Sequence, residues 1–333
     1  MSDTLEHRSA EPAELSADQL LDAYRRMRTI RAFEDRVHEE FATGDIPGFV
    51  HLYAGEEASA VGICMHLDDG DTIASTHRGH GHCIAKGVDP KPMMAEIFGR
   101  RTGTCHGKGG SMHIADLSKG MLGANGIVGA GAPLACGRAL AAKLAGNGEV
   151  CVVFFGDGAS NQGTTLEALN LASVWQLPVI FVAENNGYAE TTASSWSVAA
   201  DNIADRADGF GMPGVIVDGF DFFAVWEVAR EAVTRARRGD GPTLMEVKLT
   251  RYYGHFEGDQ QTYRGDEVER ARRDFDCLKW FRTRVTTNGM LDAAALDTID
   301  AEAAALIDDA VAEARSAPLP GREDLETDVY ATY

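Results

Sequence analysis

The stretch over residues 151–188 constrains the fold of this chain more than any other; it reads CVVFFGDGASNQGTTLEALNLASVWQLPVIFVAENNGY. An uninterrupted apolar run over residues 150–155 is typical of a strand buried in a parallel sheet. A helical pattern follows, and then a second apolar run over residues 179–183. Parallel strands joined by a helix form a right-handed βαβ unit, so the carboxyl ends of both strands are expected side by side at one edge of the sheet.

Polar residues follow each of these two runs. Gly156-Asp157-Gly158 comes after the first run, and Glu184-Asn185-Asn186-Gly187 comes after the second. Asp157 and Asn186 are therefore expected to face one another, and a carboxylate with an amide oxygen suits Mg²⁺ better than zinc. The glycines would let a diphosphate approach the backbone beside the helix that begins near Gly163. The alternative is a tight turn capped by Asp157. The Gly-Asp-Gly element alone favours the turn and the metal site equally, whereas its combination with the paired asparagines favours the metal site.

These motifs resemble those of a known family. Gly156-Asp157-Gly158, closed by Asn185-Asn186, resembles the thiamine diphosphate motif, and residues 32–264 resemble the α subunit of the first component of 2-oxo acid dehydrogenase complexes. Within that group the chain is most similar to the acetoin dehydrogenase type. The resemblance implies an α/β, thiamine diphosphate-binding fold: an open, mainly parallel sheet with helices on both faces, plus helical N- and C-terminal extensions. It also implies thiamine diphosphate and Mg²⁺ as cofactors.

Composition narrows the classes of partner. The 333 residues include 31 Lys plus Arg against 51 Asp plus Glu, a formal net charge of -20, which disfavours nucleic acid and anionic membrane surfaces. The six cysteines include no Cys-x-x-Cys pair, as is typical of reduced thiols in a cytoplasmic protein. The first residues are acidic and polar, without signal-peptide or transit-peptide character, and no apolar run is long enough to span a bilayer. We therefore expect a cytoplasmic protein.

The chain is expected to have three parts. Residues 1–44 comprise a mobile lead-in of about 15 residues and a long amphipathic helix, which begins at a capping box formed by Ser16 and Gln19. Residues 45–265 form the cofactor-binding α/β domain, and residues 266–333 form a helical C-terminal extension. Further strands are predicted over 71–74, 215–217 and 243–249, and further helices over 133–145, 223–237, 267–287 and 291–317.

Histidines are dense between residues 75 and 82, where the chain reads STHRGHGH. A zinc site formed by His77, His80 and His82 is disfavoured, because a structural zinc site needs four ligands at recognised spacing. A phosphate pocket is favoured, since Arg78 offers a fork of donors to diphosphate oxygens. The resemblance implies that His77 and Arg78 bind the diphosphate; related pyruvate dehydrogenase subunits have Tyr-Arg here, so the chain departs from the pattern at His77.

Two glycine-rich segments follow. Residues 101–113 lack the Gly-Lys-Ser/Thr ending of a phosphate loop, and on composition alone they fit a flexible surface loop. In residues 123–134 a dinucleotide turn would lack its third glycine and its preceding strand. The resemblance implies instead that Gly126 and Val128 present backbone groups to the aminopyrimidine ring of the cofactor.

The resemblance implies catalytic roles for two histidines. His51 stands in a Gly-Phe-x-His-Leu-Tyr context and His255 follows a strand in a mobile loop, after Arg251, whose charge suits phosphate. Phe256-Glu-Gly-Asp stands after His255 in place of the regulatory serine sequence of mitochondrial forms. On residues alone, each histidine is more often an ordinary surface group. Glu56 and Glu57 open a helix, where the helix dipole favours acidic residues.

The resemblance also implies a complete site and a reaction. Asp157, Asn186 and the carbonyl oxygen of Tyr188 would hold Mg²⁺. The cofactor would be bound by His77, Arg78, Gly126, Val128, Gly156, Asp157, Gly158, Ala159, Asn186 and Arg251. The reaction is the cleavage of acetoin to acetaldehyde and an enzyme-bound hydroxyethyl unit, which passes to a lipoyl acyltransferase component.

The resemblance implies that the glutamate facing the pyrimidine ring comes from a separate β subunit, within an α2β2 enzyme. Three alternatives stay open from the sequence. They are a pyruvate or other 2-oxo acid dehydrogenase α subunit, an NAD-dependent oxidoreductase and a non-catalytic scaffold subunit.

Overall fold

A computed structural model describes residues 15–330. Its centre is a six-stranded sheet in which every pairing is parallel. The strands are β1 (Thr72–Ala74), β2 (Met121–Gly123), β3 (Cys151–Gly156), β4 (Val179–Asn185), β7 (Gly214–Asp218) and β8 (Thr243–Lys248), in the order β2-β1-β3-β4-β8-β7; a small antiparallel hairpin pairs β5 (Tyr188–Ala189) with β6 (Thr192–Ala193). The expected mainly parallel sheet is confirmed.

Helices cover both faces of the sheet, as the sequence predicts. Their bounds are α1 (Ala17–Phe41), α2 (Glu57–Cys64), α3 (His80–Lys86), α4 (Pro90–Ile97), α5 (Gly131–Ala145), α6 (Gly163–Val174), α7 (Ser194–Ser197), α8 (Phe222–Arg237), α9 (Glu267–Asp274), α10 (Cys277–Thr287) and α11 (Ala293–Ser316). Helices α1, α2, α8, α10 and α11 share one hydrophobic core with one side of the sheet, and α5 and α6 share the other.

The βαβ unit that the sequence predicts is present as β3, α6 and β4. The two strands pair from Cys151 opposite Val179 to Gly156 opposite Glu184, so they end together. Side chains alternate between the two cores: Val152 and Phe154 enter one, and Val153 and Phe155 enter the other. Burial on both faces explains why the strand has a continuous apolar run rather than an alternating pattern.

Long helix α1 begins as predicted. The Oγ atom of Ser16 accepts a hydrogen bond from the backbone N–H of Gln19 at 3.2 Å, and the backbone N–H of Ser16 donates to Oε1 of Gln19 at 2.9 Å. This reciprocal pair satisfies donors that have no partner inside the helix. The predicted lead-in lies outside the described residues apart from its end, and the domain boundaries at residues 44 and 265 stay predictions.

The single helix predicted over residues 267–287 is wrong. The chain forms two helices there, α9 and α10, separated at Phe275 and Asp276. The carboxylate of Asp276 accepts hydrogen bonds from the backbone N–H groups of Leu278 and Lys279, at 3.0 and 3.3 Å. Aspartate at this position caps the start of a new helix, and the continuous helical composition hides the break.

The connections from β1 create a crevice. The chain passes from β1 to β2 on one side and from β3 to β4 on the other side. The two connections therefore diverge at the carboxyl edge between β1 and β3. Ligands of open α/β sheets bind at such a switch point. Within residues 15–330 no helix is both long and apolar enough to cross a membrane, and all six cysteines have free thiols.

Candidate active site

A cavity of about 340 Å³ lies at the carboxyl edge of the sheet. It brings together nearly every residue that the sequence predicts for the site: His51, His77, Arg78, Gly126, Val128, Gly156, Asp157, Gly158, Ala159, Asn186, Tyr188 and His255 all line it. Arg251 is fully buried and lies behind the wall, against Asn186 and Tyr188. Residues that are more than 200 positions apart, His51 and His255, thus meet in one space.

Asp157 occupies the tight turn after β3. Its carboxylate is buried, and its Oδ2 atom has no hydrogen-bond partner among residues 15–330. Burial raises the pKa of Asp157 to about 6, although nearby Arg251 and Arg78 oppose that rise. A buried carboxylate oxygen without a partner is costly, and a bound cation would remove the cost.

Two more oxygen atoms accept hydrogen bonds from the guanidinium of Arg251. Nη1 of Arg251 donates to Oδ1 of Asn186 at 3.2 Å and to the carbonyl oxygen of Tyr188 at 2.9 Å. One carboxylate, one amide oxygen and one backbone carbonyl form the hard oxygen donor set that Mg²⁺ prefers, with its other positions left for water or phosphate. The chemistry of this donor set fits the metal that the sequence predicts.

Arg251 also connects the metal-binding edge to the loop that carries His255. Its Nη2 atom donates to the hydroxyl oxygen of Tyr263 at 2.6 Å, and the Tyr263 hydroxyl donates to Oδ2 of Asp259 at 2.7 Å. The same Asp259 oxygen accepts the backbone N–H of His255 at 2.7 Å. A chain of hydrogen bonds therefore runs from Asn186 to the backbone of His255.

Arg78 forms hydrogen bonds with both loops that carry the predicted catalytic histidines. Its guanidinium donates to the carbonyl oxygen of Leu52 at 2.7 Å and to that of His255 at 3.0 Å. Burial lowers the pKa of Arg78 to about 10, so the group still carries its charge at neutral pH. A buried guanidinium at this edge places positive charge where a diphosphate would need it.

Three imidazole rings meet in the cavity. The ring centroid of His51 lies 4.5 Å from that of His77 and 5.1 Å from that of His255. The centroids of His77 and His255 lie 5.2 Å apart. Burial, followed by the charge of Arg78, lowers the pKa of His51 to about 3 and of His255 to about 4, and it holds the pKa of His77 well below its usual range. All three rings are therefore neutral at pH 7 and can each donate or accept a proton.

Among residues 15–330, His77 does not group with His80 and His82 but with His51 and His255, because the other two histidines of the patch point elsewhere. Nδ1 of His80 lies 3.1 Å from Oε1 of Glu34, and Nε2 of His80 lies 2.9 Å from the hydroxyl of Ser111. His82 contacts Ser75 instead, at 2.7 Å. Both rings are fully buried structural groups.

Sequence reasoning missed a role for Glu56. Glu56 is 1% exposed, lines the cavity and accepts a hydrogen bond from Nδ2 of Asn186 at 3.0 Å. Burial, together with the nearby charge of Glu184, raises the pKa of Glu56 to about 8. Neighbouring Glu57 turns the other way and pairs with Arg31. No signal in the sequence distinguishes these two adjacent acids.

Glu184, at the end of β4, is engaged by neighbours below the cavity. Its Oε1 atom accepts hydrogen bonds from the hydroxyls of Tyr53 and Ser59, the latter at 2.7 Å, and lies 3.1 Å from Nε2 of His82. Burial alone would raise the pKa of Glu184, but His82 and these hydrogen bonds hold it below its usual value. Glu184 is therefore an ionised acid in the wall of the cavity.

The glycine-rich segment after α4 is organised by an acid rather than by a phosphate. Oε2 of Glu96 accepts the N–H groups of Cys105 and Gly107, both at 2.8 Å, and Oε1 accepts those of Gly109 and Gly110, at 2.7 and 3.0 Å. Glu96 is fully buried. The segment is thus an ordered structural loop, and it contributes only Met112 to the cavity.

Comparisons with known proteins identify the family. The family model described as "Dehydrogenase E1 component" matches residues 25–323. The chain belongs to the dehydrogenase E1 component family. The α subunit of acetoin:2,6-dichlorophenolindophenol oxidoreductase is 66% identical over 320 residues in Cupriavidus necator and 57% identical over 320 residues in Bacillus subtilis, covering 96% of each chain. The pyruvate dehydrogenase E1 component α subunit of Rhizobium meliloti is 42% identical over 318 residues, 95% of this chain and 91% of that protein.

Membership of this family confirms the resemblance that the sequence motifs carry. The E1 dehydrogenases depend on thiamine diphosphate, so the chain is part of a thiamine diphosphate-dependent dehydrogenase. The α/β architecture agrees with the thiamine diphosphate-binding fold of E1 α subunits.

Proposed function

We propose that this chain is the α subunit of an acetoin dehydrogenase. The enzyme cleaves acetoin to acetaldehyde and a two-carbon unit, which passes to the lipoyl group of an acyltransferase component. The observation that carries the proposal is the 66% identity, over 96% of both chains, with an α subunit named for acetoin oxidation. Pyruvate dehydrogenase is the second candidate, supported by 42% identity with the Rhizobium meliloti subunit.

Asp157, Asn186 and the carbonyl oxygen of Tyr188 hold Mg²⁺ in this proposal. The unpaired Oδ2 of Asp157 and the two oxygens gathered around Arg251 support this assignment. Arg78 and Arg251 supply charge for the diphosphate, while Gly156, Gly158 and Ala159 leave the backbone accessible beside it. His77, Gly126 and Val128 complete the cofactor site from other walls of the cavity.

Thiamine diphosphate, when bound, supplies the electron sink for carbon–carbon cleavage. The residues of this chain orient it and manage protons. His51 and His255 are neutral imidazoles facing the cavity, so each can take a proton from the substrate hydroxyl or donate one to a developing oxyanion. Their low pKa values favour proton donation once a ring is charged.

A β subunit completes the active site in this proposal, giving an α2β2 enzyme. Three glutamates line the cavity: Glu56, Glu184 and Glu190. Glu56 and Glu184 are engaged with Asn186 and with the Tyr53–Ser59–His82 group, and in this proposal the β subunit supplies the glutamate that faces the pyrimidine ring. Ile127 and Val128 lie 70% and 48% exposed, and Val128 lines the cavity, so an apolar surface is available for a partner at its edge. We place the enzyme in the cytoplasm, which suits six unpaired thiols.

Reduction of 2,6-dichlorophenolindophenol tests the substrate and the partner together. The chain co-expressed with its β subunit is assayed with acetoin, pyruvate and branched 2-oxo acids, and each subunit is also assayed alone. We expect reduction with acetoin only when both subunits are present. A higher kcat/KM with pyruvate would assign the second candidate, and acetoin cleavage by the α chain alone would exclude the shared site.

A further inference from the structure

Glu56 and Asn186 form a contact whose direction is defined by its surroundings. Nδ2 of Asn186 donates to Oε1 of Glu56 at 3.0 Å, and the two residues are 8% and 1% exposed. On its other side, Oδ1 of Asn186 faces Nη1 of Arg251 at 3.2 Å and the backbone N–H of Tyr188 at 3.4 Å. One side of the amide therefore meets donors, and the other side meets an acceptor.

These neighbours distinguish the two ends of the asparagine side chain. A guanidinium and a backbone N–H can only donate, so they require the amide oxygen beside them. Glu56 offers an acceptor to the amide nitrogen, which would otherwise be a buried donor with no partner. A flip of the amide would replace its favourable contacts with Arg251 and Tyr188 by two donor–donor contacts.

We propose that Glu56 is a positioning residue for a divalent cation. By accepting from Nδ2, it holds Oδ1 of Asn186 toward the Mg²⁺ site that the proposed function assigns to Asp157, Asn186 and the Tyr188 carbonyl. This inference rests on the metal site of the proposed function and adds to it a residue that does not touch the metal. Glu56 acts through the orientation of a neighbouring amide, because its observed hydrogen bond goes to the amide nitrogen and not to the oxygen.

Neighbouring Glu57 provides a matched control. It is also fully buried and lies one residue away, but it pairs with Arg31 and accepts the backbone N–H of Gly55 at 3.0 Å. Loss of Glu57 would disturb the same segment without removing a contact of Asn186. A general loss of packing in this segment therefore affects both variants, whereas loss of cation positioning affects only Glu56 variants.

The test measures Mn²⁺ binding to the α2β2 complex by electron paramagnetic resonance, with saturating thiamine diphosphate. Glu56→Met removes the acceptor at similar volume, and we expect it to weaken Mn²⁺ binding about 10- to 100-fold, because Nδ2 loses its partner. Glu56→Gln keeps an acceptor oxygen and should stay within about 3-fold of the parent. Glu57→Gln should lower the melting temperature without changing Mn²⁺ affinity. Equal losses for Glu56→Met and Glu56→Gln, or parental affinity for Glu56→Met, would overturn the inference.

A second pair of variants separates orientation from folding. In Asn186→Asp the carboxylate has no amide end, so adding Glu56→Met should cause no further loss of Mn²⁺ affinity. The same loss in both backgrounds would overturn the positioning role. If Glu56→Met does not fold, Glu56→Ala replaces it in both backgrounds with the same expectations. A parent complex that binds no Mn²⁺ with thiamine diphosphate would refute the proposed metal site itself, whereas parental binding by Glu56→Met refutes only the inference.

Discussion

Nη1 of Arg251 lies 2.9 Å from the carbonyl oxygen of Tyr188, to which it donates a hydrogen bond. The oxygen that the family resemblance assigns to a metal therefore already faces a positive charge. The same nitrogen contacts Oδ1 of Asn186, the other neutral oxygen of the proposed metal site. Positive charge at this point favours an anionic cofactor and orders the oxygens before it binds.

Replacement of Arg251 by glutamine should weaken thiamine diphosphate binding about 10- to 100-fold, because a buried positive charge beside the proposed diphosphate site is lost. Isothermal titration of the α2β2 complex with cofactor and Mg²⁺ measures the change. Arg273→Gln is the control, since Arg273 is exposed and pairs with adjacent Asp274. Unchanged affinity in Arg251→Gln would exclude a diphosphate contact.

Asp157→Asn should stabilise the free chain while abolishing Mg²⁺ binding. Burial raises the pKa of Asp157 to about 6, so the charged carboxylate destabilises the fold increasingly as pH rises through that value. The asparagine avoids this cost, and we expect its melting temperature to exceed the parent's by ~2 °C or more at about pH 8, with a smaller difference at about pH 5. Thermal melts without metal or cofactor measure it. A variant less stable than the parent at both pH values would contradict the argument.

The buried histidines should make the chain sensitive to mild acid. The folded-state pKa values of His51 and His255 lie near 3 and 4, below the usual value near 6.5, so unfolding takes up protons as pH falls. Their contribution is fully present above about pH 6.5 and is lost progressively below it. His51→Gln should reduce the loss of unfolding free energy between about pH 7 and pH 5, as measured by urea denaturation. His106→Asn, at an exposed position, should keep the parental slope.

Tyr263→Phe should loosen the loop that carries His255. The hydroxyl of Tyr263 accepts from Arg251 and donates to Asp259, and the substitution removes both hydrogen bonds while keeping the ring. We expect faster amide hydrogen exchange over residues 254–263 and cofactor binding weakened by about 3- to 10-fold. Exchange at parental rates would show that Tyr263 does not hold the loop. Tyr24→Phe, which removes a hydroxyl hydrogen bond to Asp300 and leaves this loop unchanged, serves as the comparison.

The hydrophobic pattern of the sequence predicts the central βαβ unit well, because strands buried on both faces have continuous runs of apolar residues. The positions of Asp157 and Asn186 follow from it, since parallel strands in register must end together. The break between α9 and α10 does not follow, because Asp276 sits within a composition that is helical on both sides. Helix-capping residues decide such breaks, and a cap is recognised only with its backbone geometry.

The parts of the site that sequence reasoning missed depend on contacts between distant segments. Glu56 and Asn186 are 130 positions apart, and only the fold shows that Glu56, rather than Glu57, meets the amide. The low pKa values of the three histidines likewise arise from burial and from Arg78, which no local pattern reveals. The residues that the family resemblance names line one cavity, apart from Arg251 behind its wall, and their charge states follow only from the structure.

The buried carboxylate of Glu96 has a consequence for the glycine-rich loop. Four backbone N–H groups donate to the Glu96 carboxylate, so the loop forms an anion-binding site that is filled by a side chain of the same protein. Removal of that side chain, as in Glu96→Gly, would leave a vacant anion receptor of about carboxylate size. Small free anions such as formate should then restore the lost stability by binding in that site. The parent protein should show no such stabilisation, because Glu96 already fills the site.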